Sequence, residues 1–287
     1  MYTSHRARII LAPAKVNIRL KITGRRPDGY HNISGIMVPI ALYDHIELKT
    51  TSSAGIKLSC HGLSIPDNDE NLAYRAAEAF FSKTGITDQG IFIKIIKNIP
   101  VAAGLGGGSS DAAGILMALN EICSNPLSYQ DLARLALKLG ADVPFFLKRR
   151  PCFVSGIGEI LEPIRKWPLF WYVIVMPPVA VSTAWVYSNL KLELTSGQNN
   201  VMKSYLEKGC FSITDILEND LESVTASRVP AVSIIKNALM DIGAEGALMS
   251  GSGPSVFGVF KSKNRAVEAK RYLTPKKLGD IFVGSGI

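Results

Sequence analysis

One segment of the chain combines small residues in a pattern that suits phosphate binding. Residues 100–114 read PVAAGLGGGSSDAAG, with a β-rich run before them and a helical pattern after them. Glycines let the backbone approach an anion closely, and the amides at a helix N-terminus direct partial positive charge toward it. We therefore predict a glycine loop that holds a phosphate chain, formed by Pro100, Val101, Ala102, Ala103, Gly104, Leu105, Gly106, Gly107, Gly108, Ser109 and Ser110. The alternative is a tightly turning or flexible connector.

The glycine loop differs from two common nucleotide-binding motifs. No Gly-Lys-Ser or Gly-Lys-Thr follows the glycines, which excludes a P-loop. A dinucleotide-binding fold needs an acidic residue about 20 positions further on, whereas Glu121 comes sooner and lies inside the predicted helix. The positive charge that balances a terminal phosphate must therefore come from another part of the chain.

A lysine and an asparagine near the N-terminus form a second polar pair. Lys15 and Asn17 are two residues apart in an alternating strand pattern, so their side chains leave the same face of the strand. Val16 and Ile18 occupy the opposite face, which indicates a half-buried strand. The alternative for the two polar residues is an ordinary solvated strand face.

Two further segments carry polar groups next to glycines. Asp142 follows a predicted helix end, where Pro144 disfavours further helix, so its carboxylate could act in a site or satisfy backbone donors in a turn. Residues 250–255 read SGSGPS, a turn that could belong to a site or be purely structural.

Hydrophobic periodicity assigns these segments to strands and helices. Predicted strands cover Arg8–Thr23, Ile33–Ile40, Tyr43–Thr50, Ile91–Ile99 and Phe170–Met176, with two more around a glycine turn in Ala247–Phe260. Predicted helices cover Glu70–Lys83, Asp111–Ile122, Ser128–Leu139 and Val232–Ile242. Ser128 and Asp131 are spaced as in a capping box, and Arg26-Pro27-Asp28-Gly29 is typical of a turn after the first strand. This mixed order predicts an α+β fold with mixed sheets packed against helices.

Length and composition narrow the class of protein. The 287 residues suffice for two domains with a cleft between them, and we expect these to cover residues 1–165 and 166–287. No apolar run approaches the roughly 20 residues of a membrane-spanning helix, and the first residues lack the apolar core of an export signal. The four cysteines form no C-x-x-C pair, so we expect a cytoplasmic protein.

The four polar segments together resemble the GHMP kinase superfamily, named for galactokinase and for homoserine, mevalonate and phosphomevalonate kinases. Residues 100–113 are similar to its P-x-x-x-G-L-G-S-S-A phosphate loop, residues 12–17 to its N-terminal motif and residues 250–255 to its C-terminal glycine motif. The chain has Ala102 and Ala103 where relatives often carry glycines. PAKVNIRLKITGRRPDGYH, GLGGGSSDAA and LGADVPFFL, which begin at residues 13, 104 and 139, resemble superfamily members that act on a cytidine-diphosphate-linked methylerythritol.

The resemblance implies a two-lobed GHMP kinase fold with a central active-site cleft. It implies that ATP, with Mg²⁺ bridging its phosphates, phosphorylates the 2-hydroxyl of the acceptor in non-mevalonate isoprenoid biosynthesis. Asp142 would take the proton of the attacking hydroxyl, and Lys15 would keep that carboxylate ionised. The residues implied for the acceptor side are Asn17, Tyr30, His31 and Tyr187, and those implied for the adenine pocket are Asn71, Leu72 and Lys97. Both tyrosines would stack on cytosine, and a half-buried amphipathic side chain is the alternative for each.

The expected partner is a small cytidine-diphosphate-linked acceptor, with no nucleic acid or membrane, bound by a monomer or weak homodimer. A sibling kinase acting on homoserine or mevalonate is one alternative. An RNA-binding module is another, favoured by the net charge of +8 but lacking an RNP-like or GXXG signature. The third is a nucleotide-binding scaffold without turnover, although such a scaffold needs neither Lys15 nor Asp142.

Overall fold

The structure is a computed structural model that describes residues 7–63, 66–190 and 211–287. Within these ranges the chain divides into two compact units. The first unit is formed by the described residues of Met1–Ala14, Tyr43–Val101 and Gly106–Arg149, and the second by those of Lys15–Leu42, Ala102–Leu105 and Arg150–Ile287. Each unit is made of segments that are not continuous in the sequence. The predicted domain boundary, which divides the chain at the single position 165, stays a prediction.

Eleven strands and eight helices are present in the described ranges. The strands are β1 (Ala7–Arg25), β2 (His31–Thr51), β3 (Gly55–His61), β4 (Gly90–Ile96), β5 (Cys152–Gly156), β6 (Ile160–Pro163), β7 (Trp171–Met176), β8 (Glu218–Asn219), β9 (Gly246–Met249), β10 (Val256–Phe260) and β11 (Asp280–Ser285). The helices are α1 (Leu72–Thr84), α2 (Gly107–Ile122), α3 (Tyr129–Leu139), α4 (Val143–Lys148), α5 (Thr183–Ser188), α6 (Glu222–Arg228), α7 (Ala231–Asp241) and α8 (Lys263–Leu273). None of these helices is both long and apolar enough to cross a membrane.

The first unit packs four helices with a small sheet. β4 pairs antiparallel with the second half of β2 and parallel with β3. Its alternate residues Ile91, Ile93 and Ile95 are fully buried, as expected for a strand with one face on a core. Helix α2 contacts α1, α3 and α4. Gly114 lets α2 approach the strands, because a Cβ there would lie 2.9 Å from Ile10 Cγ2.

The second unit contains two groups of strands. In one, β5 pairs antiparallel with the first half of β2 and with β6, and β8 pairs parallel with β1. The other is an antiparallel sheet in the order β11-β7-β10-β9. Residues 172–175 of β7 are fully buried, which explains why this central strand reads as a continuous apolar run. Helix α7 packs on β9 and β10, and α8 packs on β7, β10 and β11.

The predicted strands are present with two differences: β4 ends at Ile96 and not at Ile99, and two of the predicted strands form one. The patterns predict two strands over residues 33–40 and 43–50, whereas the structure has one continuous strand, β2. Ala41 and Leu42, which join the two patterns, are not turn-forming residues, so the backbone stays extended. The predicted turn after β1 is present, with Gly29 at a φ of 87° and its N–H donating to the Arg26 carbonyl.

Two helix starts differ from the predictions. Helix α2 begins at Gly107, four residues before the predicted start at Asp111, so the second half of the glycine loop is helical. Pro144 does not prevent further helix but lies in the first turn of α4. The N–H groups of a first turn have no acceptor within the helix, so the N–H that proline lacks removes no helical hydrogen bond. The predicted cap of α3 is confirmed, since the Ser128 side chain accepts from the Asp131 N–H at 3.2 Å.

The close approach of β1 and β2 in the second unit leads to a stability prediction. A Cβ added at Gly35 would lie less than 3.0 Å from the carbonyl oxygen of Arg19, which is backbone and cannot swing away. We expect Gly35→Ala to destabilise the protein by about 1 to 3 kcal/mol in a urea titration.

Gly24→Ala is the matched control on the same pair of strands. The nearest atom that the structure describes would be Asn32 Nδ2 at 3.8 Å, an ordinary contact. Equal stability of the two variants would contradict the tight approach at Gly35.

Candidate functional site

The first half of the glycine loop is anchored in the second unit. Ala103 and Leu105 are buried, while the N–H of Lys15 donates to the Leu105 carbonyl at 2.9 Å. Gly104 adopts a φ of 75°, and a Cβ there would overlap the carbonyl of Ser250. These contacts anchor Gly104 and Leu105 in the second unit, as a phosphate loop and a tightly turning connector both require.

The second half of the loop forms the N-terminus of helix α2 in the first unit. Gly106, with a φ of 72°, precedes the helix and offers no side chain to cap it. The first amides of a helix have no acceptor within the helix, and the helix dipole adds positive potential there. Because α2 is 16 residues long and starts with two glycines, its N-terminus can accept a phosphate at close range.

Lys15 and Asn17 lie side by side on β1 and are buried. Their side chains share a hydrogen bond from Lys15 Nζ to Asn17 Oδ1, which confirms that they leave the same face. Their residues are only 3% and 1% exposed. The alternative of a solvated strand face is therefore wrong. The hydrogen bond to Asn17 gives the Lys15 ammonium one of the polar partners that a buried lysine needs to remain charged.

The glycine turn around Ser250 connects β1 to the loop within the second unit. Ser250 Oγ donates to the Gly104 carbonyl at 3.0 Å and accepts from the Asn17 N–H at 3.3 Å. Gly251 has a φ of 58°, and a Cβ there would lie 3.4 Å from both Asn17 Oδ1 and Gly104 O. The turn therefore supports two of the predicted site segments.

Asn219 on β8 holds this turn and was missed by the sequence analysis. Its Nδ2 donates to the carbonyls of Met249 and Gly251, each at 2.8 Å, and its Oδ1 accepts from the Leu221 N–H at 3.0 Å. β8 has only two residues, too few for a periodic pattern. The one available signal was the run of polar residues Glu-Asn-Asp at 218–220 within an apolar context.

Asp142 lies in the first unit at the start of α4. It is half-buried and occupies the N-cap position, yet its carboxylate makes no capping hydrogen bond to the described residues of α4. The turn itself is closed by the backbone, where the Val143 N–H donates to the Gly140 carbonyl at 3.1 Å. The carboxylate is therefore not used to satisfy the end of this helix.

The aromatic residues predicted for the acceptor side lie in the second unit. The rings of His31 and Tyr187 are 5.2 Å apart between centroids and tilted by 33°. Tyr30 is 59% exposed, and its N–H donates to Asp28 Oδ1 at 3.1 Å. Burial, together with the charge of Arg25, lowers the pKa of His31. The His31 ring is therefore neutral at neutral pH and can both donate and accept a hydrogen bond.

The three residues predicted for the adenine pocket lie in the first unit. A Cβ at Gly108 would contact Leu72 Cδ1 at 3.6 Å, and a Cβ at Gly107 would lie 3.2 Å from Lys97 Nζ. Leu72 and Lys97 therefore border the first turn of α2. Asn71 caps α1, since its Oδ1 accepts from the backbone N–H two residues further on at 2.9 Å.

A buried cluster of three charged residues adjoins this position. Lys97 Nζ donates to Asp44 Oδ2 and, at 2.7 Å, to Asp111 Oδ2, and all three side chains are at most 3% exposed. Burial alone would lower the pKa of Lys97, but the two carboxylates outweigh it and raise that pKa. Burial raises the pKa of Asp111 to about 7, against the opposing effect of Lys97 and with a further increase from Asp44.

Comparison with known families finds two matches. Residues 71–150 match the GHMP kinases N terminal domain family, and residues 202–279 match the GHMP kinases C terminal family. The first match includes the glycine loop and the segment around Asp142. The second includes β8 and the turn around Ser250.

Similarity to individual proteins extends over nearly the whole chain. A 4-diphosphocytidyl-2-C-methyl-D-erythritol kinase of Syntrophotalea carbinolica is 47% identical, and the alignment covers 93% of this chain and 94% of that protein. A crystal structure of 4-(cytidine 5'-diphospho)-2C-methyl-D-erythritol kinase matches with a TM-score of 0.82 and 35% identity over 97% of this chain and 99% of that one. Homoserine kinase from Cytophaga hutchinsonii shares the fold, with a TM-score of 0.76, 20% identity and coverages of 99% and 95%.

The raised pKa of Asp111 predicts a pH dependence of stability. The carboxyl is faced by Lys97 from the end of β4, Asp44 from β2 and Cys60 from β3. An unfolded aspartate titrates near pH 4, so from about pH 4 to pH 7 the unfolded chain has lost a proton that the folded chain keeps. Stability from this group is complete below pH 4 and is lost as the pH rises through 7.

The variant Asp111→Asn removes this titration. We expect the wild-type chain to lose about 2 to 3 kcal/mol of unfolding free energy relative to Asp111→Asn between about pH 5 and pH 7.5. Denaturant titrations of both proteins at the two pH values provide the measurement. A constant difference would show that Asp111 is ionised over this whole pH range.

Proposed function

Because the chain belongs to the GHMP kinase family, we propose that it phosphorylates the 2-hydroxyl of 4-diphosphocytidyl-2-C-methyl-D-erythritol with ATP, a step of non-mevalonate isoprenoid biosynthesis. The observation that carries the proposal is the 47% identity, over 93% of the chain, to an enzyme of that name. Homoserine kinase is similar at 20% identity, which concerns the fold alone.

The proposed site of the ATP phosphates is the glycine loop. The positive end of α2 and the glycine backbone suit an anion, as described above. Lys15, whose backbone N–H donates to Leu105, carries its cationic side chain on a strand that is bonded to the same loop. Positioning and charge compensation are what phosphoryl transfer requires from a protein.

The proposed chemistry is an in-line displacement at the γ-phosphorus. The acceptor oxygen forms a bond to phosphorus while the bond between phosphorus and the β,γ-bridging oxygen breaks, and ADP leaves. Asp142 takes the hydroxyl proton, and Lys15 stabilises the negative charge on the transferring group. Asp142 lies half-buried at the start of α4. The pairing of Lys15 with Asp142 rests on the family motifs.

The proposed acceptor site uses the aromatic residues of the second unit. Tyr30 presents an exposed ring to stack on cytosine, and the neighbouring His31 and Tyr187 rings supply a second surface. A neutral His31 matches the uncharged hydrogen-bonding edge of cytosine. Asn17, next to Lys15, is proposed to bind the hydroxyl end of the acceptor.

The proposed adenine pocket lies beside the start of α2. Leu72 offers an apolar surface there, whereas Asn71 and Lys97 already use their polar groups within the protein. We propose that these two contribute shape and position.

Mg²⁺ is the proposed metal, and its function would be to neutralise charge on the phosphates. The described residues contain no cluster of three or more His, Cys, Asp or Glu side chains that could hold a metal ion. Mg²⁺ that is held chiefly by substrate phosphates and water needs few protein ligands. The buried hydroxyl of Ser110, which has no hydrogen-bond partner among the described residues, is the protein oxygen in the loop that could join them.

The assignment of Asp142 predicts a loss of turnover without a loss of ATP binding. Asp142→Asn should lower kcat by about 10² to 10⁴-fold, because an amide cannot take the hydroxyl proton. Asp88→Asn, an exposed aspartate of the same unit, is the control and should match the parent. Steady-state kinetics and calorimetric ATP titration test both variants, and near-parental kcat in Asp142→Asn would assign the base to another residue.

The acceptor assignment predicts that CMP competes with the acceptor and not with ATP. Tyr30→Ala should weaken acceptor binding by about 1 to 3 kcal/mol, the usual contribution of one base stack. Tyr272→Ala is the control, since Tyr272 is similarly exposed, at 54% against 59%. Comparable phosphorylation of homoserine or mevalonate under matched conditions would move the chain to a sibling activity.

A further inference from the structure

Both ends of the glycine loop are tied to the same buried charges. Lys97 lies three residues before Pro100, where the loop begins, and Asp111 directly follows Ser110, where it ends. Lys97 Nζ joins the two ends through its 2.7 Å hydrogen bond to Asp111 Oδ2. The loop is thus closed by an ion pair at its base.

Asp44 fixes the approach to the loop at two further points. Its Oδ2 accepts from Lys97, while its Oδ1 accepts from the N–H groups of Asn98 and Ile99 at 2.6 and 2.9 Å. Three consecutive residues before Pro100 are therefore bonded to one carboxylate. Because Asp44 belongs to β2, these bonds fix the start of the loop relative to the sheet of the first unit.

We propose that Asp44, Lys97 and Asp111 form a positioning triad that holds the glycine loop in its nucleotide-binding conformation and thereby sets the affinity for ATP. The inference rests on the proposed function, in which the loop binds the ATP phosphates. The triad acts through the loop backbone, because the Lys97 ammonium is already shared by two carboxyl groups.

Stability alone does not account for three buried ionisable groups at this place. Replacing a buried ion pair or triad by apolar residues of similar volume is often neutral or stabilising. Here, moreover, Asp111 Oδ1 has no hydrogen-bond partner among the described residues, and two carboxyl groups share one ammonium. Such an arrangement fixes geometry at the expense of stability, in a segment whose four glycines would otherwise sample many conformations.

The triad is also close to the amides at the N-terminus of α2, which are proposed to bind phosphate. A Cβ at Gly107, the first residue of α2, would be 3.2 Å from Lys97 Nζ and 3.0 Å from Ile99 Cγ2. A displacement of Lys97 therefore changes the support of the helix N-terminus. The effect should fall on nucleotide binding before it falls on acceptor binding.

The test compares a charge-free triad with a matched control on the same helix. The triple variant Asp44→Asn, Lys97→Met and Asp111→Asn removes all three charges and leaves no unpaired buried ion, and Asp111→Asn alone is the milder second variant. Asn120→Ala is the control, because Asn120 is buried in α2 and bonds both N–H and C=O of Leu127, at the end of the helix far from the loop.

Hydrogen–deuterium exchange of the peptide over residues 98–110, without nucleotide, is the first readout. We expect faster exchange in the triple variant and parental exchange in Asn120→Ala. Calorimetry is the second readout, and the Kd for ATP should rise by about 10- to 100-fold, as for supporting residues of other sites. The loss in ATP affinity should exceed the loss in kcat at saturating ATP, and the acceptor KM should stay parental.

Parental loop exchange in both triad variants would overturn the inference, and so would an equal loss of ATP affinity in Asn120→Ala. The proposed function fails separately, if the parent chain itself neither binds ATP nor phosphorylates the cytidine-linked acceptor. In that case the exchange data still decide whether the triad fixes the loop.

Discussion

A loop that binds phosphate through its backbone must be open to the ligand and yet fixed in one conformation. Glycines allow the first requirement and work against the second, because they lose more conformational entropy on ordering than any other residue. The chain meets this constraint by anchoring the loop on both sides of its glycines. Ala103 and Leu105 bury their side chains, Ser250 binds the Gly104 carbonyl, and an ion pair closes the base.

Several of the anchors are buried polar groups, and their burial determines how much each hydrogen bond contributes to the free energy of folding. A buried hydrogen bond contributes only about 1 kcal/mol net, whereas leaving one partner unsatisfied costs about 1 to 3 kcal/mol. Asn17, Ser250, Gly104 and Asn219 form such a connected set in the second unit. Removing one member leaves its neighbours unpaired, so the set enforces one geometry more than it adds stability.

The sequence predicts the parts of this structure that depend on local chemistry. Ser128 caps α3 as its spacing indicates, and the glycine loop is visible in the sequence because its four glycines lie within five residues. Burial, and hydrogen bonds between residues far apart in the sequence, do not depend on local chemistry and could not be predicted in this way. Lys15 and Asn17 could equally be read as a solvated face, because strand alternation cannot reveal that both faces of the strand are buried. Asn219 bonds residues 30 and 32 positions away, a distance over which no local pattern carries information.

The groups proposed for phosphate and for the acceptor differ in how strongly the fold constrains them. Lys15, Ala103 and Leu105 are buried and the loop is bonded to several segments, so a substitution at these positions disturbs more than one contact. Tyr30, by contrast, is exposed on a turn held by Asp28, and its side chain can change without repacking a core. A fold built this way can keep its phosphate machinery while its acceptor changes. The same fold is shared, at 20% identity or less, with kinases named for homoserine and for mevalonate.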